Sequence, residues 1–250
     1  MVEIYPHRIL SGSDEIAVEV TPGGGPAILW LGGFRSDMMG GKAIRVAEWG
    51  AANGRKAVRF DYRGHGASGG LFEDFVLSDW LADARLVLDR FCDEPPVVVG
   101  SSMGGWLALL LARECLAQGR PLAGLVLIAP AADFTERLML PRLTEAARQT
   151  LADTGRVELP SDYDAPYTVT ARLFEDGRKN LLYTDELIEV GCPVRILQGV
   201  EDDAVPHGHT MELVERLAHD DVVLTLVKDG DHRLSREADL VRLIEAVEGL

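Results

Sequence analysis

The sequence predicts an α/β protein: a mostly parallel central sheet, helices on both of its faces, and a helical cap inserted late in the chain. Three observations lead there. Short apolar runs at 27–31, 57–60, 97–99, 124–129, 193–198 and 222–227 are buried-strand length and nearly free of polar residues, as strands covered on both faces must be. Helical stretches separate most of them, and that alternation is the signature of a parallel sheet. The alternation then stops between about 131 and 191, which marks an insertion. At 250 residues the chain fits one domain, 1–250, with the cap at about 131–191 as part of it.

Taken in order, Glu15 to Val20 alternate polar and apolar and read as an edge strand. Thr21-Pro22-Gly23-Gly24-Gly25-Pro26 is a turn. The strand at 27–31 ends in Gly32-Gly33-Phe34, and a helix is expected from Lys42 to Asn53. The strand at 57–60 runs into a polar, glycine-rich loop, Asp61-Tyr62-Arg63-Gly64-His65-Gly66-Ala67-Ser68. Residues 78–91 place Trp80, Leu81, Ala84, Val87, Leu88 and Phe91 on one helical stripe. Pro95-Pro96 ends that connection. Within the insertion, Phe134, Leu138, Leu143, Ala147 and Leu151 keep a helical stripe, 158–167 is irregular, and 168–182 reads as a second helix. A strand at 193–198, a helix at 208–218, a strand at 222–227 and a closing helix from about 236 to 247 complete the chain.

Composition narrows the function. A net charge of −15 argues against nucleic acid and against docking on anionic membranes. The longest apolar run, around 106–112, is too short to span a bilayer. Cys92, Cys115 and Cys192 are scattered and odd in number, which fits a reducing compartment. Met1-Val2-Glu3-Ile4-Tyr5-Pro6 lacks the basic and apolar blocks of a signal peptide, so the expected location is cytoplasmic.

The stretch from Val97 to Trp106 carries the chemistry. Three valines end a strand, an apolar helix begins at Trp106, and Gly100-Ser101-Ser102-Met103-Gly104 lies between. A sharp strand-to-helix turn of the Gly-x-Ser-x-Gly type exposes its serine above the sheet and aims helix N–H groups at it. Ser102 is therefore the candidate nucleophile. Gly66-Ala67-Ser68-Gly69-Gly70 matches the same spacing, but no helix starts after it, so Ser68 reads as a loop residue. A serine hydroxyl needs a base, and the base needs a carboxylate to fix its tautomer. His232, after the last strand in Gly230-Asp231-His232, is the candidate base. Glu201-Asp202-Asp203 follow the strand at 193–198, and Asp202 is favoured as the acid by its spacing to Val205-Pro206. Asp133 is an alternative carboxylate, or else a helix N-cap. His65 precedes the nucleophile and reads as a loop histidine. His207 and His209 form too weak a metal pattern and are expected to sit exposed at a helix start. Two backbone N–H groups, those of Met103 and Phe34, are candidates to hold an oxyanion.

Together, Gly100 to Gly104, Gly32-Gly33-Phe34, Asp61-x-Arg63-Gly64-x-Gly66-x-Ser68, Gly199-x-x-Asp202-x-x-Val205-Pro206 and Gly230-Asp231-His232 resemble the α/β-hydrolase superfamily over nearly the whole chain. Met39-Gly40-Gly41-Lys42-Ala43, Gly105-Trp106 and Asp231-His232-Arg233 are similar to the branch of mitochondrial palmitoyl-protein thioesterases and acyl-glucuronide esterases and its bacterial relatives. Gly32 departs from the wider superfamily, where a histidine often stands. The resemblance implies the α/β-hydrolase fold and a triad of Ser102, Asp202 and His232. It implies hydrolysis of carboxylic esters or acyl thioesters, acylated protein among them, without cofactor or metal. A peptidase or C–C bond hydrolase on the same residues, and a non-catalytic ligand-binding protein of this fold, are the rival readings.

Overall fold

The computed structural model describes residues 4–160, 166–218 and 221–250. The chain opens with a hairpin of β1 (Tyr5–Ser11) and β2 (Asp14–Thr21), turned at Gly12 with a φ of 63°. Next come β3 (Gly24–Leu31), α1 (Gly41–Ala52), β4 (Arg55–Phe60), α2 (Leu77–Phe91), β5 (Val97–Ser101), α3 (Met103–Ala117) and β6 (Gly124–Ile128). The chain then leaves the sheet for a π-helical turn at Thr135–Met139, α4 (Glu145–Thr154), the strands β7 (Arg156–Leu159) and β8 (Tyr167–Thr170), and α5 (Ala171–Gly177). It returns through β9 (Val194–Gly199), α6 (His207–Arg216), β10 (Val222–Val227) and α7 (Glu237–Glu248).

The main sheet has the order β1-β2-β4-β3-β5-β6-β9-β10. β1 and β2 join antiparallel, and every pairing from β4 to β10 is parallel. Period-two alternation divides the strand side chains between two cores. Leu29, Leu31, Val98, Leu125 and Leu127 face the α2 and α3 side with Leu81, Ala84 and Leu107. Ile28, Trp30, Val97, Val99, Val126 and Ile128 face α1 and α7 with Val46, Leu243 and Val247. Helix α3 is apolar nearly all round and buried along most of its length, because the sheet covers one side and α2 packs on another.

Four expectations change. The strand at 15–20 is not an edge: it pairs with β1 on one side and β4 on the other. β1 is the edge, and its mostly exposed side chains lack the alternation that would reveal a strand. The stripe from Phe134 to Leu151 is not one helix, because the π turn passes into a 3₁₀ turn at Leu140–Arg142, the chain becomes extended at Leu143, and Thr144 caps a new helix through its hydroxyl, which accepts from Ala147 N–H at 3.1 Å. The expected helix at 168–182 is a short α5 and a 3₁₀ turn at Arg178–Asn180, preceded by β8, which pairs antiparallel with β7. Of the irregular stretch at 158–167, Glu158 and Leu159 belong to β7 and Tyr167 to β8, while 161–165 lie outside the described residues, as do Met1, Val2 and Glu3.

The insertion is tied to the sheet layer at several points. Asp133 accepts the N–H groups of Leu182 and Tyr183 at 2.8 and 2.9 Å, and Tyr183 donates its hydroxyl to His209 O at 2.8 Å. Asp176 accepts from the backbone N–H and hydroxyl of Ser78 at the start of α2, and Trp106 Nε1 donates to Asn180 O at 3.1 Å.

Candidate active site

Ser102 sits between β5 and α3 with φ 55° and ψ −117°, a conformation that L-residues rarely adopt. The turn is enforced by close backbone approach. A Cβ on Gly100 would lie 2.3 Å from Gly104 O, and one on Gly104 would lie 2.1 Å from Leu31 O. Ser102 N–H donates to Ile128 O at 2.9 Å, and Ser102 O accepts from Gly105 and Ala131 N–H. Among the described residues, the non-glycine positions with positive φ are Arg35, Ser102, Ala129, Asp133 and Leu234. Ser102 is itself the candidate nucleophile, Arg35 adjoins Phe34, Leu234 lies two residues after His232, and Ala129 and Asp133 follow β6; backbone strain held by its surroundings is expected at a working site.

Ser102, Asp202 and His232 are brought together from three strand ends 30 to 130 residues apart in sequence. Ser102 Oγ lies 3.1 Å from His232 Nε2, and His232 Nδ1 lies 2.8 Å from Asp202 Oδ2. A carboxylate on Nδ1 makes that nitrogen the donor and leaves Nε2 as the acceptor facing the serine hydroxyl. The Asp202 side chain is fully buried and that of His232 is 25% exposed. Asp202 Oδ1 accepts the N–H groups of Ala204 and Val205 at 2.9 and 2.8 Å, which fixes the orientation of the side chain. Glu201 is exposed, and Asp203 contributes its backbone oxygen to Arg142. Asp133 takes no part in this hydrogen-bonded relay and is not an N-cap: both its oxygens accept from the backbone of Leu182 and Tyr183, and burial raises its pKa. Ser68 is structural, donating to Asp61 O at 2.6 Å and accepting from Ala17 N–H.

Phe34 and Met103 both border the cleft at Ser102. Met103 begins α3, so its N–H has no intrahelical acceptor. The Phe34 loop lies against the serine, since a Cβ on Gly33 would sit 3.4 Å from Ser102 Cβ. What anchors that loop in place of a histidine at position 32 is a set of contacts from the glycine-rich loop. Tyr62 OH reaches Gly32 O at 3.4 Å, Asp61 Oδ1 accepts from Met38 N–H at 2.7 Å, and His65 Nε2 accepts from Arg35 N–H at 3.2 Å.

The structural roles of four residues escaped the sequence reading. Gln198 donates to Asp202 Oδ2 at 3.2 Å and to Val205 O, and is itself held by the Thr210 hydroxyl at 2.6 Å. A glutamine ending an otherwise apolar buried strand was the available signal. His65 is a loop histidine that is also a buried brace, and desolvation lowers its pKa to about 4. His209 is buried rather than exposed, packs on Tyr183, and is lowered to about 4 by desolvation and then by Arg137. Lys42 Nζ donates to the carbonyl oxygen of Arg233, next to His232.

Two clefts meet at Ser102 and His232. One, of about 380 Å³, runs under the insertion and is lined mainly by apolar side chains, among them Phe134, Leu138, Leu143, Leu159 and Tyr167. The other, of about 490 Å³, has more polar side chains in its lining and opens between the Phe34 loop and the segment after His232. Chemically, a hydroxyl aligned on a carboxylate-backed imidazole beside a helix N-terminus is equipped for acyl transfer.

The alpha/beta hydrolase family model matches residues 22–246. The human palmitoyl-protein thioesterase ABHD10, mitochondrial, is 32% identical over 237 residues, covering 94% of this chain and 76% of the human protein. The crystal structure of an Agrobacterium vitis S4 protein named as a hydrolase superposes with a TM-score of 0.93 at 46% identity, covering 100% of this chain and 98% of that one. Alpha/beta hydrolase domain-containing protein 10 from mouse follows at a TM-score of 0.87 and 29% identity, with 98% and 97% covered. Sheet order, elbow and match across nearly the full length agree, and the chain belongs to the alpha/beta hydrolase family.

Proposed function

We propose that this hydrolase cleaves acyl thioesters or carboxylic esters through an acyl-enzyme on Ser102. The observation that carries the reading is the relay itself, with 3.1 Å from Ser102 Oγ to His232 Nε2 and 2.8 Å from Nδ1 to Asp202. Ser102 Oγ attacks the acyl carbon while its proton passes to His232 Nε2. Charge on the carbonyl oxygen is held by the N–H groups of Met103 and Phe34, each donor contributing about 3 kcal/mol to the transition state. The tetrahedral adduct collapses, and the leaving thiolate or alkoxide takes the proton from Nε2. Water then gives a proton to Nε2 and attacks the acyl-enzyme, releasing the carboxylic acid and returning Ser102 to its protonated form. Asp202 keeps the imidazole oriented and stabilises its cation throughout. No step calls for a metal or cofactor.

The apolar cleft under the insertion supports an acyl chain as the part of the substrate that lies there, and the name of the human and mammalian relatives favours thioesters. The test is kcat/KM across acyl lengths for matched esters and thioesters, with Ser102→Ala as the control. The expected result is a rise with chain length, larger for thioesters and abolished in the variant. A peak at acetyl esters would replace the long-chain reading with a small-ester one.

A further inference from the structure

Asp202 carries the relay on one oxygen, and a second buried side chain reaches that same oxygen. Oδ2 faces His232 Nδ1 at 2.8 Å and accepts from Gln198 Nε2 at 3.2 Å, while Oδ1 accepts from the N–H groups of Ala204 and Val205. Four donors on two oxygens match the lone-pair positions of a carboxylate. Gln198 Nε2 also reaches Gly199 O at 2.9 Å and Val205 O at 3.0 Å, so one amide spans both ends of the loop that bears Asp202. All three groups facing Nε2 are acceptors, so the nitrogen belongs on that side and Oε1 on the other. Opposite them stands Thr210 of α6, whose hydroxyl donates to Oε1 at 2.6 Å. Gln198 and Thr210 are both fully buried.

The direction of that hydroxyl is unusual for its place. A threonine in a helix commonly returns its proton to the carbonyl four residues back. Thr150 and Thr154 of α4 do so, to Ala146 O at 2.9 Å and Thr150 O at 2.8 Å. Thr210 instead sends its proton out of α6 to the end of β9. The terminal torsion of a glutamine is soft, so contacts at both ends of the amide are what set it. Without the hydroxyl, Oε1 becomes a buried acceptor with no donor.

We propose that Thr210 is a positioning residue for the reaction. Its hydroxyl sets the Gln198 amide, the amide sets Asp202 Oδ2, and that oxygen sets the His232 ring facing Ser102. The inference rests on the acyl-transfer reading above. Neither Gln198 nor Thr210 lines the two clefts at Ser102, so the effect falls on kcat rather than on substrate binding.

The test compares Thr210→Val with Thr210→Ser. Valine keeps the shape and loses the hydroxyl, and serine keeps the hydroxyl and loses the methyl. A packing role would favour valine, and a positioning role favours serine. Thr210→Val is expected to lower kcat about fivefold with KM within about twofold of the parent, and Thr210→Ser to stay within about twofold in both. Tyr183→Phe serves as the control for a loosened α6, since the Tyr183 hydroxyl donates to His209 O, one residue away. It is expected to lower Tm and leave kcat unchanged. In an Asp202→Asn background, Thr210→Val is expected to cost nothing further, because the carboxylate it acts through is gone.

The rate of fluorophosphonate labelling at Ser102 reads the same relay without a chosen substrate, and the same order of variants is expected there. Parental kcat and labelling in Thr210→Val, a serine variant as slow as the valine one, or an equal loss in Tyr183→Phe would overturn the proposal and leave the esterase reading standing. If Ser102 labels but no ester or thioester turns over, the substrate class fails, and the labelling order alone decides the role of Thr210. A parent protein that neither labels nor turns over ends the acyl-transfer reading and the proposal with it.

Discussion

The sheet and the insertion over it differ in what they are built to hold. The sheet carries Ser102, Asp202 and His232 on the ends of β5, β9 and β10, in short turns locked by main-chain contacts that leave no room for a Cβ at Gly100, Gly104 or Gly199. The insertion carries no member of the relay. It contributes Phe134, Leu138, Leu143 and Tyr167 to the wall of a cleft and is fastened by a few side-chain clamps at Asp133, Asp176 and Trp106. The lesson is a division of labour: changes in the first region should alter the rate of the chemical steps, and changes in the second should alter which acyl chain is accepted.

Variants can break that division. The largest effect is expected at Ser102→Ala and His232→Ala, each lowering kcat by about 10⁴- to 10⁶-fold on every substrate, and Asp202→Asn should cost about 10⁴-fold. A variant of this set that changed the chain-length optimum and kept its rate would contradict the assignment. Gln198→Leu removes the donor to Asp202 Oδ2 while keeping the strand packed, and should lower kcat by about tenfold with KM little changed. In the insertion, Leu138→Trp is expected to fill the apolar cleft and shift the optimum to shorter chains, with kcat on the shortest substrate within about threefold of the parent. Equal loss on all chain lengths would move Leu138 into the chemical machinery.

The same contrast explains what the sequence made legible. The elbow could be read because strand, turn and helix are contiguous in Val97 to Trp106, and because its glycines answer a local steric demand. The parallel sheet could be read because strands buried on both faces are near-continuous apolar runs. β1 could not, since an edge strand with exposed side chains has neither a run nor an alternation. Inside the insertion, a helical stripe survived across a π-turn, a 3₁₀ turn and α4, so periodicity alone joined three pieces into one. Among Glu201, Asp202 and Asp203 the spacing to Val205-Pro206 favours Asp202, and the fold turns that carboxyl inward to His232. The braces at His65 and Tyr62 were hidden because each reaches the Phe34 loop from 30 residues away, and Gln198 because its strand does not show which way its amide points.

The smallest expected effect is on stability. His65 is held neutral by burial, with a pKa of about 4 against an ordinary value near 6.5. The unfolded chain therefore takes up its proton before the folded one does. Stability from this residue is complete above about pH 6.5 and declines as pH falls toward 4. His209 behaves in the same way, and the buried carboxyls Asp61, Asp83 and Asp133, raised by desolvation, act in the opposite sense. The difference between variants isolates one group: His65→Gln should lose less Tm than the parent between pH 6.5 and 4.5, as thermal melts would read. An equal loss would mean that His65 takes a proton without leaving its place.

Labelling with a fluorophosphonate, read by mass spectrometry on the intact protein and on its peptides, tests the central claim most directly. The account predicts one adduct per chain on Ser102 in the parent protein and none in Ser102→Ala. It also predicts labelling slowed by more than about a thousandfold in a folded His232→Ala. An adduct on another residue, undiminished labelling of Ser102→Ala, or a parent protein that does not react would contradict it.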